Sequence, residues 1–166
     1  MSLNQTGSMK ALTLRLQDEL FAVEAESVRE ILDLVPITDV PNASPFVRGL
    51  INVRGRVVPL ADLRVMFGME RPEPDEDTRI VVMEIDIDGE PTIAGILADK
   101  VHDVTDIEAA SIEEAPKVGM RWRPEFIKGI GKRHGGFIII PNLGRIFETQ
   151  GGRSPSLAAS EERSAS

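Results

Sequence analysis

The sequence predicts a mainly β fold, in which two pseudo-duplicated, five-stranded β-barrels pack together with short helices. Strand-like segments, about five in each half, are short and are separated by glycine and proline. The landmarks of the first half return in the second half in the same order. Because an open sheet exposes the edges of its outer strands, two small closed barrels are the arrangement that hides them.

The clearest local signal is a hairpin in the first half. Two short runs rich in β-branched residues, Leu50 to Val53 and Val57 to Leu60, flank an Arg-Gly-Arg turn. Gly55 supplies the backbone freedom that such a turn needs. Asp62 then suits the N-cap of a short helix. The apolar residues after it share one helical face: Leu63, Met66 and Phe67.

The same pattern returns near the C-terminus. Residues 126–130 (Phe-Ile-Lys-Gly-Ile) match residues 46–50 (Phe-Val-Arg-Gly-Leu), and a proline precedes each. Residues 94–104 likewise resemble residues 21–31. Further pairs fall in register: Gly55 with Gly135, Asp62 with Asn142, Val28 with Val101, and Glu30 with Asp103. Chance similarity is the alternative, because hydrophobic hairpins use few residue types. Since order, polarity and spacing all agree, the sequence predicts an internal duplication.

The duplication leads to a prediction of domain boundaries. Each half has about 65 residues, near the lower limit for an independent core. We therefore expect the halves to share an interface and to unfold in one transition. The predicted boundaries are one domain at 10–148, with a first barrel at roughly 10–70, an acidic, proline-rich connector at 71–78 and a second barrel at roughly 79–148, between flexible tails at 1–9 and 149–166.

The remaining elements of the first half follow from local pattern. Apolar and polar residues alternate over 10–16, which predicts a half-buried strand, and 20–23 forms the return strand after a turn. Apolar residues from Val28 to Val35 have helical spacing, although 31–35 could equally form a strand. We expect a short helix here, with extended chain before Pro36.

The second half reads mainly as strands. Residues 79–87 are strongly apolar, an Asp-Gly-Glu turn follows, and 92–97 form the next strand. Val101, Val104 and Ile107 then continue a β pattern with polar residues between them. The second hairpin is predicted to span residues 128–140.

Composition excludes several classes of protein. The chain of 166 residues contains no cysteine, so disulfides and thiolate zinc sites are excluded. A formal net charge of −8, with one tryptophan and no tyrosine, argues against nucleic-acid binding. No apolar run approaches the roughly 20 residues of a membrane-spanning helix, and the N-terminus lacks signal-peptide features. We expect a soluble, cytoplasmic protein.

Catalytic motifs are missing from the sequence. The two histidines, His102 and His134, read as surface residues, and no nucleophile elbow, phosphate-binding loop or dinucleotide fingerprint occurs. Acidic residues surround Gly89: Asp86, Asp88 and Glu90. Their spacing does not fit a calcium loop, and an Asp-Gly hairpin turn explains them better. The sequence therefore predicts a protein that is not an enzyme and has no catalytic residues, metal site or cofactor.

Two further sets of residues are candidates for a binding role. Glu30 and Arg54 occupy strand-like positions where they can form a bidentate pair, although they could equally be unrelated surface charges. A weaker pair, Asp103 with His134, stands at the matching places of the second half. Three glycines are either structural kinks or places where a partner approaches closely, and both readings stay open: Gly49, Gly95 and Gly129.

The run from Phe46 to Arg64 resembles the signature of the CheW-like domain, the adaptor of bacterial chemotaxis. Further matches lie at 28–31, 95–104 and 127–131, and the resemblance covers roughly residues 10–148. It implies two intertwined five-stranded barrels of the Src-homology-3 kind. It also implies a non-catalytic adaptor that joins a CheA-type histidine kinase, through the kinase's regulatory domain, to the cytoplasmic tip of methyl-accepting chemoreceptors. Such a protein is recruited to membrane-associated receptor arrays.

The resemblance also assigns candidate binding residues. A receptor-binding groove between the barrels would include small and apolar residues: Val28, Gly49, Gly95, Val101, Val104 and Gly129. Arg54, with Glu30 as its partner, stands where the family places a functionally important arginine. The chain departs from the family pattern in having Val53 in place of a leucine, Pro141-Asn142 in place of an apolar-acidic pair, and Trp122 in the loop before Pro124.

Two alternative functions are weighed against this one. The first keeps the fold and changes the circuit: an adaptor of a chemotaxis-like pathway that controls surface motility or gene expression. The second is an unrelated enzyme on a duplicated barrel, which would need a deep polar pocket with perturbed titrating groups. The candidate groove residues are too apolar for such a pocket.

Overall fold

A computed structural model of the chain describes residues 7–116, 123–133 and 135–149. Within them the strands are β1 Ser8–Leu16, β2 Glu19–Glu24, β3 Val28–Asp33, β4 Val47–Val53, β5 Arg56–Ala61, β6 Arg79–Ile87, β7 Glu90–Ala98, β8 Lys100–Glu108, β9 Ile127–Arg133 and β10 Gly136–Pro141. The α-helices are α1 Leu63–Met66 and α2 Leu143–Thr149. Short 3₁₀ turns lie at Ala25–Ser27, Ala109–Ser111 and Pro124–Phe126.

The strands form two five-stranded sheets that confirm the predicted fold class. One sheet has the order β3-β6-β7-β5-β4, and the other has the order β8-β1-β2-β10-β9. Adding five to each strand number of the first half gives the matching strand of the second half. Each sheet closes into a barrel because the chain that follows one edge strand pairs with the strand at the opposite edge. Thr38, after β3, pairs with Leu50 of β4, and Glu113, after β8, pairs with Ile130 of β9. The result is two barrels related by the internal repeat.

Each barrel takes strands from both halves of the sequence. The β1–β2 hairpin joins β8, β9 and β10, whereas the β6–β7 hairpin joins β3, β4 and β5. The prediction that one barrel spans roughly 10–70 and the other roughly 79–148 is therefore wrong in its allocation of strands. The cause is the short connection between β7 and β8, which is Asp99 alone. Because a hairpin turn needs at least two residues, β8 cannot fold back onto β7. The chain therefore passes straight into the other sheet.

Matching hydrogen bonds confirm the duplication. The amide of Asp62 donates to the carbonyl of Phe46 over 2.8 Å, and the amide of Asn142 donates to the carbonyl of Phe126 over the same distance. Both hairpins also carry the same irregularity, because the register shifts one residue before Gly49 and one residue before Gly129. The departures Pro141 and Asn142 therefore leave the hairpin geometry intact.

The apolar core has three parts. A small cluster fills each barrel, and a larger cluster lies between the two sheets. Aromatic pairs join elements of the two barrels: Phe46 lies 5.1 Å from Phe147, and Phe21 lies 5.3 Å from Phe67, between ring centroids. Exchanged hairpins and a shared cluster both support the expectation of one unfolding transition, which stays a prediction.

The structure corrects two local expectations. The segment from Val28, expected as a short helix, is strand β3, because it pairs antiparallel with β6 from Val28–Met83 to Asp33–Arg79. Its alternating burial matches a strand, so tertiary pairing overrides the helical spacing. Ser8 and Met9, expected in a flexible tail, belong to β1, where Met9 is buried. Thr149, also expected in a flexible tail, is the last residue of α2. The predicted tail residues before 7 and after 149 lie outside the described residues, as does Trp122.

None of the helices within the described ranges is both long and apolar enough to cross a lipid bilayer.

Candidate functional site

The predicted pair of Glu30 and Arg54 forms in the structure. Arg54 Nε donates to Glu30 Oε1 over 3.1 Å, and Arg54 Nη2 donates to Glu30 Oε2 over 2.8 Å, which is a bidentate geometry. This hydrogen bonding, followed by the charge of Glu30, raises the pKa of Arg54 above its ordinary value. Arg54 is 77% exposed, while Glu30 is 23% exposed. The pair therefore fixes an exposed guanidinium in place on the surface of one barrel.

The backbone at Arg54 is unusual for an arginine. Arg54 and Gly55 both have positive φ, +52° and +83°, as the two central residues of a type I′ hairpin turn do. This confirms the tight hairpin predicted around Gly55. Glycine or asparagine fits the first of these positions better than a long side chain does. The arginine at position 54 therefore does not contribute to the stability of the turn.

The three predicted groove valines differ in their exposure. Val28 on β3 and Val101 on β8 are half-buried, and both pack against the apolar cluster between the sheets. Val104, farther along β8, is 53% exposed. Ile31 occupies the matching place on β3 and is also exposed. An exposed apolar position thus occurs at the same place in both halves, on strands from different sheets.

The three predicted groove glycines are buried against the chain itself. A Cβ atom on Gly49 would lie 2.4 Å from the carbonyl oxygen of Thr38, and one on Gly129 would lie 2.5 Å from Ile112 Cγ2. Gly95 faces Ile80 inside its barrel, at 3.1 Å from such a Cβ. The close approach is therefore made by other segments of this chain, so these glycines offer a partner no open surface here.

A buried ionic network surrounds Arg64, a residue that the sequence did not mark as a candidate. The Arg64 guanidinium, 2% exposed, pairs with Asp62 through Nε and Nη2, each at 2.9 Å, and its Nη1 donates to Asp99 Oδ1 over 2.7 Å. Asp99 Oδ2 in turn accepts a hydrogen bond from the backbone amide of Gln17 at 2.6 Å. The network thus joins α1, the β7–β8 link and the β1–β2 turn, which belong to both barrels.

The chemistry of this network is that of a stable ion pair. Burial opposes the charged form of Arg64, but hydrogen bonding with Asp62 and the charges of Asp62 and Asp99 outweigh it, so the pKa of Arg64 lies above its ordinary value. Asp62 also accepts the amide of Arg64 at 3.1 Å, which confirms the predicted N-cap. The helical pattern located Asp62 but gave no sign that Arg64 points inward.

The remaining polar candidates lie apart from these residues. Asp88 and Gly89 form the tip of the β6–β7 hairpin with positive φ at both, as expected for an Asp-Gly turn. Within the described ranges, no group of three or more acidic or histidine side chains is arranged to hold a metal ion. His102 is exposed on β8, and Asp103 is exposed beside it. His134 lies outside the described residues, so its predicted pairing with Asp103 stays a prediction.

Comparison with known proteins gives the family of the chain. A family model described as the CheW-like domain matches residues 10–151. The probable chemotaxis protein CheW of Rhizobium etli is 32% identical over 129 residues, which cover 78% of this chain and 80% of that protein. The chemotaxis protein CheW of Rhizobium meliloti is 28% identical over 144 residues, which cover 87% of this chain and 90% of that protein.

A solved structure agrees with these matches. The scaffolding protein TtCheW from Thermoanaerobacter tengcongensis superposes with a TM-score of 0.74 at 34% sequence identity. The alignment covers 85% of this chain and 93% of that one. The resemblance noted in the sequence is therefore confirmed over nearly the whole described chain. The chain belongs to the CheW-like domain family and is a non-catalytic adaptor, or scaffold, of chemotaxis.

Proposed function

We propose that this chain couples methyl-accepting chemoreceptors to a CheA-type histidine kinase. It would do so in the cytoplasm, at membrane-associated receptor arrays. One surface would bind the regulatory domain of the kinase, and the half-buried and exposed valines Val28, Val101 and Val104 would meet the cytoplasmic tip of a receptor. The Glu30–Arg54 pair would act at a partner contact. Family membership over residues 10–151 is the observation that carries this proposal.

The geometry of Arg54 supports a binding role for the pair. The guanidinium is exposed, yet its bidentate bond to Glu30 restricts its motion. Preorganisation of this kind lowers the entropy cost of binding. In addition, a left-handed backbone at a residue other than glycine or asparagine is costly, by roughly 1–2 kcal/mol. Because Arg54 destabilises the turn in which it lies, we attribute its presence to partner binding and not to the stability of the fold.

The exposed valine on β8 supports a contact with a receptor helix. Val104 and its counterpart Ile31 each present an apolar side chain to solvent beside the half-buried Val101 and Val28. A helical hairpin can place an apolar stripe against such a surface. The contact excludes the three glycines that pack against the chain itself: Gly49, Gly95 and Gly129.

Calorimetric titration with the regulatory domain of the CheA-type kinase from the same source tests the proposal. We expect saturable one-to-one binding in the micromolar range, about −8 kcal/mol, since a signalling array needs reversible contacts. No binding to any CheA-type kinase of that source would refute the coupling function while leaving the family assignment intact.

Receptor binding is tested separately with a soluble fragment of the receptor tip. Val104→Lys should weaken binding, because it puts a charge on the proposed apolar contact. Val57→Lys is the matched control, since Val57 is 70% exposed on the other barrel and is not in the proposed groove. Binding of each variant to the receptor fragment is measured by co-sedimentation. If both substitutions weaken binding equally, the proposed role of Val104 in receptor binding is refuted.

A further inference from the structure

A cleft in the second half of the chain stands where the first half buries its arginine. The cleft has a volume of about 260 Å³ and lies between β2, β6 and the junction of β10 with α2. In the internal repeat, Asn142 takes the place of Asp62 and Gly144 takes the place of Arg64. The hairpin wall matches too, because Leu14 pairs with Phe21 as Met83 pairs with Ala94.

Both halves keep a second cation at the rim. In the first half, Arg48 Nη1 lies 3.8 Å from Asp62 Oδ2. In the second half, Lys128 holds the position of Arg48, and its Nζ lies 3.5 Å from Glu24 Oε2. Lys128 is therefore the counterpart of the rim cation Arg48. The inner cation that Arg64 provides has no counterpart, because glycine has no side chain.

Close backbone packing at position 144 excludes a longer side chain there. A Cβ atom on Gly144 would lie 2.8 Å from the carbonyl oxygen of Asp86, a backbone atom that has little freedom to move. The approach arises because the β6–β7 hairpin is longer than the β1–β2 hairpin and reaches over α2, where Asp88 N donates to Glu148 Oε2 at 3.2 Å. Position 144 therefore cannot supply the cation that Arg64 supplies in the first half.

An acidic oxygen in the cleft lacks a hydrogen-bond donor. Glu24 Oε2 is shielded from solvent and accepts no hydrogen bond from any described residue. Lys128 Nζ, at 3.5 Å, forms an ion pair with this oxygen but not a hydrogen bond. A shielded carboxylate oxygen without a donor is destabilising, so a donor that reached it would bind favourably. The apolar walls, including Met83 and Ile140, suit an aliphatic stem.

We propose that this cleft binds an arginine side chain of a partner protein. The guanidinium would donate to Glu24 Oε2, with its stem along the apolar walls, as Arg64 does toward Asp62 in the other half. A planar fork of donors pairs with a carboxylate in a more defined geometry than an ammonium group does. The inference rests on the cleft and the repeat, and it does not depend on which chemotaxis partners the chain has.

The test is a titration of the full chain, followed by ¹⁵N–¹H NMR, with N-acetyl-arginine methylamide as the probe. We expect saturable shifts at the amides of Glu24, Asn142 and Gly144, with a dissociation constant on the order of millimolar. N-acetyl-lysine methylamide should bind several-fold more weakly. Glu24→Gln should weaken binding of the arginine probe about ten-fold, since a hydrogen bond to a charged group becomes a neutral one.

Two further variants separate this binding from general attraction to an acidic protein. Lys128→Gln should strengthen binding, because it removes a cation that competes for Glu24. Glu73→Gln, in the exposed connector, should change nothing. Dispersed spectra of each variant confirm its fold. The proposal is overturned if the arginine probe gives no saturable shifts or binds the Glu24→Gln variant equally well. It is also overturned if guanidinium chloride binds but the arginine probe does not, because the cleft would then exclude a peptide.

Discussion

The two halves of this chain share a β frame and differ in what occupies the space under the short helix. In the first half, Arg64 fills that space and pairs with Asp62 and Asp99. In the second half, Gly144 leaves a cleft at the same place. Strand order, hairpin irregularities and helix position are nevertheless the same in both halves. The comparison shows that the frame does not require the buried ion pair.

The ion pair must therefore do something that the frame does not do. Its partners lie on α1, the β7–β8 link and the β1–β2 turn, so it ties the exchanged hairpin of one barrel to the helix of the other. The second half instead secures its helix by close approach of the longer β6–β7 hairpin to Gly144. One half locks the barrels together with charge, and the other does so with backbone contact.

Removal of the buried cation is the largest expected effect. Arg64→Ala leaves the fully buried Asp62 with only the rim cation Arg48, at 3.8 Å, and removes the ion-pair partner of the mostly buried Asp99. Breaking a buried pair in this way costs roughly 3–5 kcal/mol. Urea denaturation measures the free energy of unfolding directly. Arg145→Ala, on the exposed face of α2, is the control and should change stability by less than about 0.5 kcal/mol.

The same variant also tests whether the two halves are equivalent. In Arg64→Ala the first half acquires a cleft like that of the second half, but with two carboxylates in it. Millimolar methylguanidinium should therefore raise the melting temperature of Arg64→Ala more than that of the wild-type protein, in which Arg64 already fills the space in the first half. Failure of this rescue, together with a loss of less than about 1 kcal/mol, would mean that Arg64 is not a structural lock.

Gly49 and Gly129 occupy matching places in the two hairpins, but different kinds of atom obstruct a side chain there. Gly49 has φ of +152° and a Cβ there would strike the Thr38 carbonyl, so Gly49→Ala should cost about 2–5 kcal/mol. Gly129→Ala should cost less, about 1–3 kcal/mol, because the obstructing Ile112 Cγ2 is a side-chain atom that can shift. Thermal unfolding of both variants measures the difference.

Gly68→Ala serves as the control for backbone strain alone. Gly68 also has positive φ, +65°, but nothing lies within 4 Å of the place where its Cβ would be. Its cost should therefore be only the strain, about 1 kcal/mol. If Gly129→Ala lowered stability as much as Gly49→Ala, the expected difference between a backbone and a side-chain obstruction would be refuted.

Features set by local sequence were predicted correctly. The two hairpins, the Asp-Gly turn and the N-cap at Asp62 each depend on residues within a few positions of one another. The Glu30–Arg54 pair was also predicted, because both residues lie at marked places in the repeat. The family signature gave the barrel architecture that the comparisons confirm.

Features set by long-range contacts were not predicted correctly. Strand β3 was expected to be helical because its pairing partner β6 lies about 50 residues away, beyond any local pattern. The exchange of hairpins depends on the one-residue link at Asp99, whose effect appears only when the sheets are assembled. Arg64 was missed for the same reason, since a charged residue on a short helix is normally exposed.

The exposed pair gives the smallest expected effect on stability and the sharpest contrast with Arg64. A double-mutant cycle of Glu30→Gln and Arg54→Gln should give a coupling below about 1 kcal/mol, because a solvated pair gains little. Arg54→Asn should keep or raise the melting temperature, since asparagine suits the left-handed turn. The same substitution should weaken binding to the kinase domain, measured by calorimetric titration, or to the receptor fragment, measured by co-sedimentation.

Arg54→Glu extends this test by placing a like charge against Glu30. The fold should survive, because the residue is exposed and both charges can turn to solvent. Signalling should fall, because the presented group changes sign. If Arg54→Glu unfolded the protein, the pair would be structural, as the Arg64 network is. An arginine that the turn disfavours and the fold can lose is best explained by what it offers to a partner.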